Sequence, residues 1–353
     1  MQHALLPLHS PLENTPHKAG NGDLPITCRN RHCPKCQAQA RQRWLAAREK
    51  ELLGVPYFHV VFTLPHELKP LCRYNARVLY DLLFRTSAAT MLEVAANPKR
   101  LGAQIGFISI LHTWGQNLLL HPHIHCLVPA GGFSPDHQRW IYPKYNFFLP
   151  VDVLSSVFRA KFVDGLRLAY QRGELVFPGS IAELENPKRL AGFVDSLFQK
   201  KWVVYAKPAF GGPAQVLRYL GRYTHRVAIS NHRLLAFDGE SVTFRWKDYA
   251  HGNKHRKMIL SASEFLRRFT QHILPRGFVR IRQFGYLANT QRSARLALAR
   301  QLLAVAPEPS ECSAPDTADA SSYRCPRCNG EMRIGPNLSA RRLATRCRPL
   351  DSS

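Results

Sequence analysis

Periodic patterns of apolar residues divide the chain, from about residue 37 to residue 304, into strands and helices. Residues 57–63 form a β-branched and aromatic run typical of a buried strand, and apolar residues recur at helical spacing over 66–97. By the same criteria we predict further helices over 37–53, 151–172, 188–199, 261–274 and 290–304, and further strands over 106–113, 122–129, 202–206, 225–230, 278–284 and a hairpin of 234–237 with 241–246. After residue 305 the composition changes to Pro, Ser, Asp and Ala, which indicates a linker.

The strand predicted over 122–129 carries a His-apolar-His triplet, His123-Ile124-His125. Side chains on a strand alternate between its faces, so His123 and His125 share one face and can share one divalent ion. His112 can join them if 107–114 forms a neighbouring antiparallel strand. A lone pair of this kind is more often structural or on the surface, and Gln116 and Gln215 are alternative third ligands.

Two tyrosines, Tyr219 and Tyr223, stand four residues apart in a stretch that reads as a helix. Residues at this spacing lie on one helical face, about 5–6 Å apart at Cβ. On its own such a pair is usually part of a core. The segment before it, 207–213, ends in Gly-Gly-Pro, so it is either a simple turn or an exposed helix start that can hold phosphate. Candidate phosphate contacts are Lys207, Arg218 and Arg222.

The charge of the chain indicates a polyanionic partner. The 353 residues contain 49 Lys+Arg and 24 Asp+Glu, a net charge of +25, with a pI near 10.1. Such a field attracts nucleic acid, with an anionic membrane surface as the competing partner. No apolar run is long enough to span a membrane, and the N-terminus shows no secretion signal. We therefore expect a cytoplasmic, nucleoid-associated bacterial protein.

Cysteine spacing predicts small zinc sites near both ends of the chain rather than disulfides. Cys28, Cys33 and Cys36 form the first knuckle, with His32 as an alternative ligand, but no second Cys-x-x-Cys precedes it to complete a four-ligand site. The alternative is a remnant of a larger zinc module. Cys325 and Cys328 form a second knuckle that Cys312 and Cys347 would complete, the alternative being an incomplete tail. Residues 1–25 lack periodicity and are predicted to be a disordered leader.

The two motifs fit one reaction, the cutting of DNA through a covalent intermediate. A tyrosine has an unperturbed pKa of about 10, so its site must stabilise the developing phenolate. A divalent ion, magnesium or manganese, can polarise the scissile phosphate and orient it for attack. Two tyrosines suit two successive transesterifications on single-stranded DNA, bound by aromatic side chains and a basic groove. Phosphotyrosine conserves the bond energy, and no P-loop signature is present, so no nucleotide cofactor is expected.

Three segments together resemble the two-tyrosine HUH transposases of the insertion sequence 91 family, over roughly residues 26–300: HTWGQNLLLHPHIHC, WVVYAKPAFGGPAQVLRYLGRYTHRVAIS and CRNRHCPKCQ. The resemblance implies an α+β fold like that of HUH endonucleases, with helices packed on an antiparallel sheet and the tyrosine helix facing the histidine strand. It implies rolling-circle-like transposition through a single-stranded intermediate. By this match His123 and His125 are metal ligands and Tyr219 and Tyr223 are nucleophiles; His112 follows by analogy with relaxases.

The resemblance also implies the domain organisation. Residues 26–53 are a partial zinc-binding segment with a basic helix, 54–304 the catalytic domain, and 305–353 a linker with a possible zinc knuckle. A replication initiator or relaxase would use the same chemistry, although no helicase motif follows the nuclease, which argues against a large relaxase. A decayed, non-catalytic zinc-containing DNA-binding protein is the third possibility.

Overall fold

The structure, a computed structural model, describes residues 34–144, 148–210, 215, 221, 228–248, 252 and 254–305. The chain divides into Met1–Val305 and Ala306–Ser353, and every described residue lies in the first part. The predicted leader and the predicted C-terminal linker and knuckle therefore lie outside the described residues.

The described strands form one large sheet and two small ones. Their bounds are Tyr57–Thr63 (β1), Gly106–Trp114 (β2), Leu120–Pro129 (β3), Gly132–Phe133 (β4), Trp140–Ile141 (β5), Val204–Phe210 (β6), Leu234–Phe237 (β7), Ser241–Asp248 (β8), Lys254–Ser261 (β9) and Ile281–Gly285 (β10). The large sheet has the order β10-β2-β3-β1-β6, and all its neighbouring strands are antiparallel. The other sheets are β4-β5 and β7-β8-β9.

Helices cover both faces of the large sheet. Their bounds are Pro34–Glu49 (α1), Lys69–Tyr74 (α2), Ala76–Ala96 (α3), Val151–Gln171 (α4), Pro187–Phe198 (α5), Ala262–Thr270 (α6) and Arg292–Val305 (α7), with short 3-10 turns at His66–Leu68, Gly179–Glu185 and Asn231–Arg233. The α+β class with an antiparallel sheet is thereby confirmed. Within the ranges that the structure describes, no helix is both long and apolar enough to cross a lipid bilayer.

One face of the sheet carries the main hydrophobic core. Alternate residues of the central strands, such as Phe58, Phe62 and Ile124, are buried there against α3, α4 and α5. The opposite face has two parts along the strands, an apolar part and a part that carries histidines. At one end Tyr57, Ile108 and Leu127 pack in a second cluster with residues of α1 and α7. On β2 the cluster continues to Ile110, and beyond these residues the next same-face positions of β1, β2 and β3 are His59, His112 and His125.

The single helix predicted over 66–97 is wrong, because it is interrupted at Asn75. The Asn75 side-chain amide donates to the carbonyls of Leu71 (3.2 Å) and Val176 (2.9 Å), and its oxygen accepts from the Val176 amide at 2.8 Å. A buried Asn that bonds to a distant loop in this way competes with the helical hydrogen bonds. The chain therefore turns between α2 and α3.

Two predictions about the second half of the fold are also corrected. The strand predicted over 202–206 starts at Val204 and continues to Phe210, into the segment predicted as a loop; β6 is an edge strand, where a proline is tolerated. Residues 228–230, the described part of the strand predicted over 225–230, are not a strand, and Ala228 has a φ of 51°. The hairpin β7-β8 is confirmed, but β9 was not predicted.

Candidate metal centre

Pairing between β2 and β3 brings the three predicted ligands together. The strands are antiparallel, with His112 directly opposite His123, which confirms the condition set by the sequence. One ring nitrogen of each of His112, His123 and His125 lies within 4.8 Å of those of the other two. Ring centroids are 5.4 Å apart for His112–His123, 4.5 Å for His112–His125 and 4.8 Å for His123–His125. Three converging imidazoles are a donor set that can hold one divalent ion and leave other positions open.

Burial keeps the imidazoles of His123 and His125 in the form that binds metal. His112 and His125 are buried and His123 is half-buried. Desolvation lowers the pKa of His123 to about 4, with a further contribution from His121, and holds the pKa of His125 well below its ordinary value. The two rings are therefore neutral at pH 7, and neutral imidazole is the ligand form.

A main-chain hydrogen bond orients His123. Its Nδ1 lies 2.6 Å from the carbonyl oxygen of His121, two residues earlier on β3. A carbonyl can only accept, so Nδ1 carries the proton and donates. The lone pair is then on Nε2, and an outer hydrogen bond of this kind fixes both the tautomer and the ring orientation of a metal-binding histidine.

A fourth histidine, His59 on β1, supports His125. His59 Nε2 lies 2.8 Å from His125 Nδ1, and the rings stack with centroids 5.0 Å apart at an angle of 10°. Burial, followed by the nearby charge of Lys207, lowers the pKa of His59 to about 3, so it is neutral and can accept. When His125 Nδ1 donates to His59, the lone pair of His125 is on Nε2. Sequence reasoning missed His59 because a single histidine in an apolar strand has no spacing signal.

The turn between β2 and β3 is held by side chains from the second half of the chain. Arg233 donates to the carbonyl of Gln116, Arg268 to that of Asn117 at 3.1 Å, and His272 Nε2 lies 3.0 Å from that of Leu118. Leu118 is fully buried with a φ of 62° and packs with Ala228 and Phe244. Because this turn joins the strands of His112 and His123, these contacts fix the ligand positions.

Lys207, predicted to contact phosphate, lies on β6 directly opposite His59 on the neighbouring strand β1. Directly opposite residues project from the same face of a sheet, and Lys207 is exposed. It therefore adds a positive charge beside the histidines. Of the alternative ligands, Gln116 is half-buried in the β2–β3 turn and Gln215 is exposed on a helical segment.

Known proteins match most of the chain. Residues 106–294 match the family model described as "Putative transposase", and residues 18–64 match that of the "Transposase zinc-binding domain". The chain belongs to the insertion sequence 91 family of transposases. It is 49% identical over 316 residues to "Putative transposase y4qJ" of Sinorhizobium fredii, covering 87% of this chain and 79% of that protein. It is 29% identical over 316 residues to the "Transposase for insertion sequence element IS801" of Pseudomonas savastanoi pv. phaseolicola, covering 87% and 74%.

The two family matches divide the histidine face between them. The transposase match begins at β2 and contains His112, His123 and His125, whereas the zinc-binding match contains α1 and β1, and with β1 it contains His59. Strands from both matched segments pair in one sheet. The three candidate ligands therefore come from one matched segment, and His59, which bonds to His125, comes from the other.

Several predicted site residues lie outside the described residues. They are the nucleophile candidates Tyr219 and Tyr223, the phosphate contacts Arg218 and Arg222, and the zinc ligands Cys28, Cys33, Cys325 and Cys328. Cys36 is the third residue of α1. Gly221, between the two tyrosines, is helical, and a Cβ built on it would lie 3.4 Å from Leu45 Cδ1 of α1. Leu45 packs on the second cluster, which shares the histidine face.

Proposed function

We propose that this transposase nicks and joins single-stranded DNA at the ends of its element through 5′-phosphotyrosine intermediates, as in rolling-circle-like transposition. Tyr219 and Tyr223 are the nucleophiles, and His112, His123 and His125 hold a catalytic divalent ion. The three-histidine cluster is the observation that carries this proposal, because its nitrogens converge within 4.8 Å on a partly open sheet face. Membership of a transposase family supports DNA as the substrate.

The donor set fits a divalent metal. All three ligands are imidazoles, which suit transition metals such as manganese, whereas magnesium prefers oxygen ligands and keeps several waters. A bound ion supplies Lewis-acid charge to a non-bridging phosphate oxygen. The protein holds the rings of His123 and His125 neutral through burial and orients them through the His121 carbonyl and His59.

Each tyrosine performs one transesterification. The phenol loses its proton, its oxygen attacks the scissile phosphorus, and the bond to the 3′ oxygen of the preceding nucleotide breaks. That oxygen leaves as a 3′ hydroxyl after taking up a proton, and the 5′ phosphate remains on the tyrosine. Rejoining reverses these steps with a 3′ hydroxyl as the attacking group, so the number of phosphodiester bonds is conserved without a nucleotide cofactor. The second tyrosine cuts another strand before the first linkage is resolved.

The position of Gly221 supports the proposal that the helix of Tyr219 and Tyr223 lies near the histidines. A Cβ built on Gly221 would lie 3.4 Å from Leu45 of α1, so Gly221 lies beside this helix, and α1 packs on the apolar end of the face whose other end carries the histidines. Three cations are proposed to neutralise the phosphates that flank the scissile bond: Lys207, which lies opposite His59, and Arg218 and Arg222, which directly precede the two tyrosines in the sequence. Positive side chains next to a transferring phosphoryl group stabilise its transition-state charge.

We also propose structural zinc at the knuckles. Thiolates of Cys28, Cys33 and Cys36 are the ligands of the first site, and the family match over 18–64 supports zinc in this segment. Cys325 and Cys328 are proposed to bind a second zinc ion. Zinc content measured on the purified chain, compared with that of a Cys33→Ser/Cys36→Ser variant, tests the first site.

Labelled single-stranded element ends test the catalytic proposal. Incubation with manganese or magnesium should leave label attached to the protein on denaturing gels. We expect a Tyr219→Phe/Tyr223→Phe variant to form no adduct, and His123→Ala to lose most of it because an ion ligand is removed. His66→Ala, at a histidine whose side chain is 78% exposed, is the matched control and should retain the adduct. An adduct that persists in the double tyrosine variant would refute the tyrosine assignment.

A further inference from the structure

The outer face of the hairpin β8-β9 carries cations directly opposite one another. The register pairs Arg245 with Lys257 and Lys247 with His255. Side chains alternate along each strand, and the inward positions of β8, such as Val242 and Phe244, are buried while Arg245 is exposed. Directly opposite residues of an antiparallel pair have Cβ atoms about 4.5–5.5 Å apart. The outer face therefore presents a ladder of positive side chains, which we call the cation ladder: Arg245, Lys247 and Lys257.

The two strands contribute little negative charge to the ladder. The sequences SVTFRWKD and KHRKMILS contain one acidic residue, Asp248, which is buried on the inner face with a carboxylate oxygen 3.1 Å from Arg256. In the described part of the chain, no carboxylate forms an ion pair with Arg245 or Lys257. Like charges directly opposite on neighbouring strands destabilise a sheet. A ligand that brings negative charge to this face would remove that cost.

We infer that the cation ladder binds the phosphate backbone of duplex DNA. Strand β7 pairs only with Val242–Phe244 of β8, so the part of β8-β9 that carries the ladder is two-stranded. A two-stranded β-ribbon fits the major groove, where its cations lie close to the phosphates on either side. The ladder has no Phe, Tyr or Trp, since Phe244 and Trp246 of β8 both face inward, so it lacks the stacking platform that single-stranded DNA requires. This inference rests on the proposed function only in taking DNA as the partner, because binding needs no phosphoryl transfer.

The ladder is held in a fixed position relative to the metal centre. The inner side of the hairpin packs through Phe244 on Leu118 of the β2–β3 turn and on Phe265 of α6. Arg233, which lies over the Phe244 ring at 5.8 Å, donates to the Gln116 carbonyl of the same turn. A duplex on the outer face would therefore be anchored beside the strands that carry the histidines. The ladder is suited to hold the double-stranded DNA next to the strand being cut.

Fluorescence anisotropy on the full chain tests the inference. Labelled duplex is titrated with protein in buffer without added manganese or magnesium, so that no strand is cut and the proposed structural zinc is kept. The salt concentration is varied over about 50–200 mM, a range in which phosphate neutralisation dominates the salt dependence. For Arg245→Gln/Lys257→Gln we expect the slope of log K against log salt concentration to become shallower by about 1.8, because each cation that neutralises a phosphate contributes about 0.9 to the slope. Lys188→Gln/Arg189→Gln, which removes two exposed charges of α5, is the matched control and should keep the wild-type slope.

The outcomes separate this inference from the catalytic proposal. If Arg245→Gln/Lys257→Gln binds duplex DNA with the wild-type slope, the inference that the cation ladder binds phosphates is wrong. If the variant changes the slope equally on single-stranded DNA of the same length, the assignment to duplex DNA is wrong. If the double variant folds poorly, Arg245→Gln alone should change the slope by about 0.9. The melting temperature should not fall, because a like-charge pair has been removed. A missing protein–DNA adduct would refute the tyrosine chemistry and leave the slope result standing.

Discussion

Replacing His59 by Phe tests whether the hydrogen bond between His59 and His125 strengthens metal binding. Phe keeps a ring stacked on His125, where the present rings are 5.0 Å apart, but removes the nitrogen that lies 2.8 Å from His125 Nδ1. In the metal-bound form His125 must carry its proton on Nδ1, which would then lack this acceptor. A buried unsatisfied donor costs about 1–3 kcal/mol, which corresponds to a factor of about 5–150 in an equilibrium constant. When a hydrogen-bond partner of a metal-binding side chain is removed, metal affinity typically falls by about 10–100-fold, which agrees with this range.

Isothermal titration calorimetry with manganese is the assay. We expect His59→Phe to bind manganese about 10–100-fold more weakly than wild type. His59→Gln, whose side-chain oxygen can accept, should recover part of the affinity, and His66→Phe is the surface control. Manganese affinity within about twofold of wild type in a cooperatively melting His59→Phe variant would refute the reasoning, since an effect of about 1–3 kcal/mol is larger than that.

Three further predictions address the fold and the tyrosine segment. Gly285→Ala should destabilise the protein by more than about 3 kcal/mol in urea unfolding, because a Cβ there would collide with a main-chain carbonyl at a φ of 62°, whereas Gly173→Ala, at a φ of 65° with no atom within 4 Å, should cost only about 1–2 kcal/mol. Gly221→Val should reduce formation of the protein–DNA adduct without weakening manganese binding, because a Cβ at this position already lies 3.4 Å from Leu45 Cδ1 and a larger side chain requires Leu45 to move. Gly221→Ala should be tolerated, and a Val variant with wild-type adduct formation would contradict this packing. Burial lowers the pKa of His272 to about 4, so between pH 6.5 and 4 the unfolded chain binds a proton at this residue that the folded chain does not. The free energy of unfolding should therefore decrease as the pH falls, and His272 should contribute up to about 3 kcal/mol of that decrease. Urea unfolding at several pH values should show a smaller decrease in His272→Gln, and an unchanged pH dependence would exclude this role.

The sequence alone predicted the strands that carry the ligands. Strand β1 was predicted with its observed bounds, and β2 and β3 were predicted to within two residues, because buried alternating strands have a strong apolar signature. The three ligand histidines followed from alternation along a strand and from one pairing assumption, which the register confirms. Sequence reasoning therefore succeeded where the geometry is set within one strand or one hairpin.

The remaining features depend on contacts between distant residues. His59 meets His125 only because β1 pairs with β3, 66 residues further along the chain. Asn75 interrupts a helical pattern because it bonds to Val176, 101 residues away. Strand β9 starts with Lys-His-Arg-Lys, which has no apolar alternation, and it is held in the sheet by pairing with β8. Local patterns contain no information about these partners.

On the sheet face that carries the histidines, apolar packing and imidazoles occupy different parts of each strand. This separation decides how mutations at the histidines affect activity and folding. On β1, β2 and β3, the residues that anchor the sheet to α1 and α7 stand two positions from the imidazoles. The apolar packing of this cluster therefore does not depend on the imidazoles themselves. Replacement of an imidazole removes little of the packing that keeps the sheet intact. Loss of activity and loss of structure are therefore separable in this fold, and an inactive copy of the gene can still encode a folded protein.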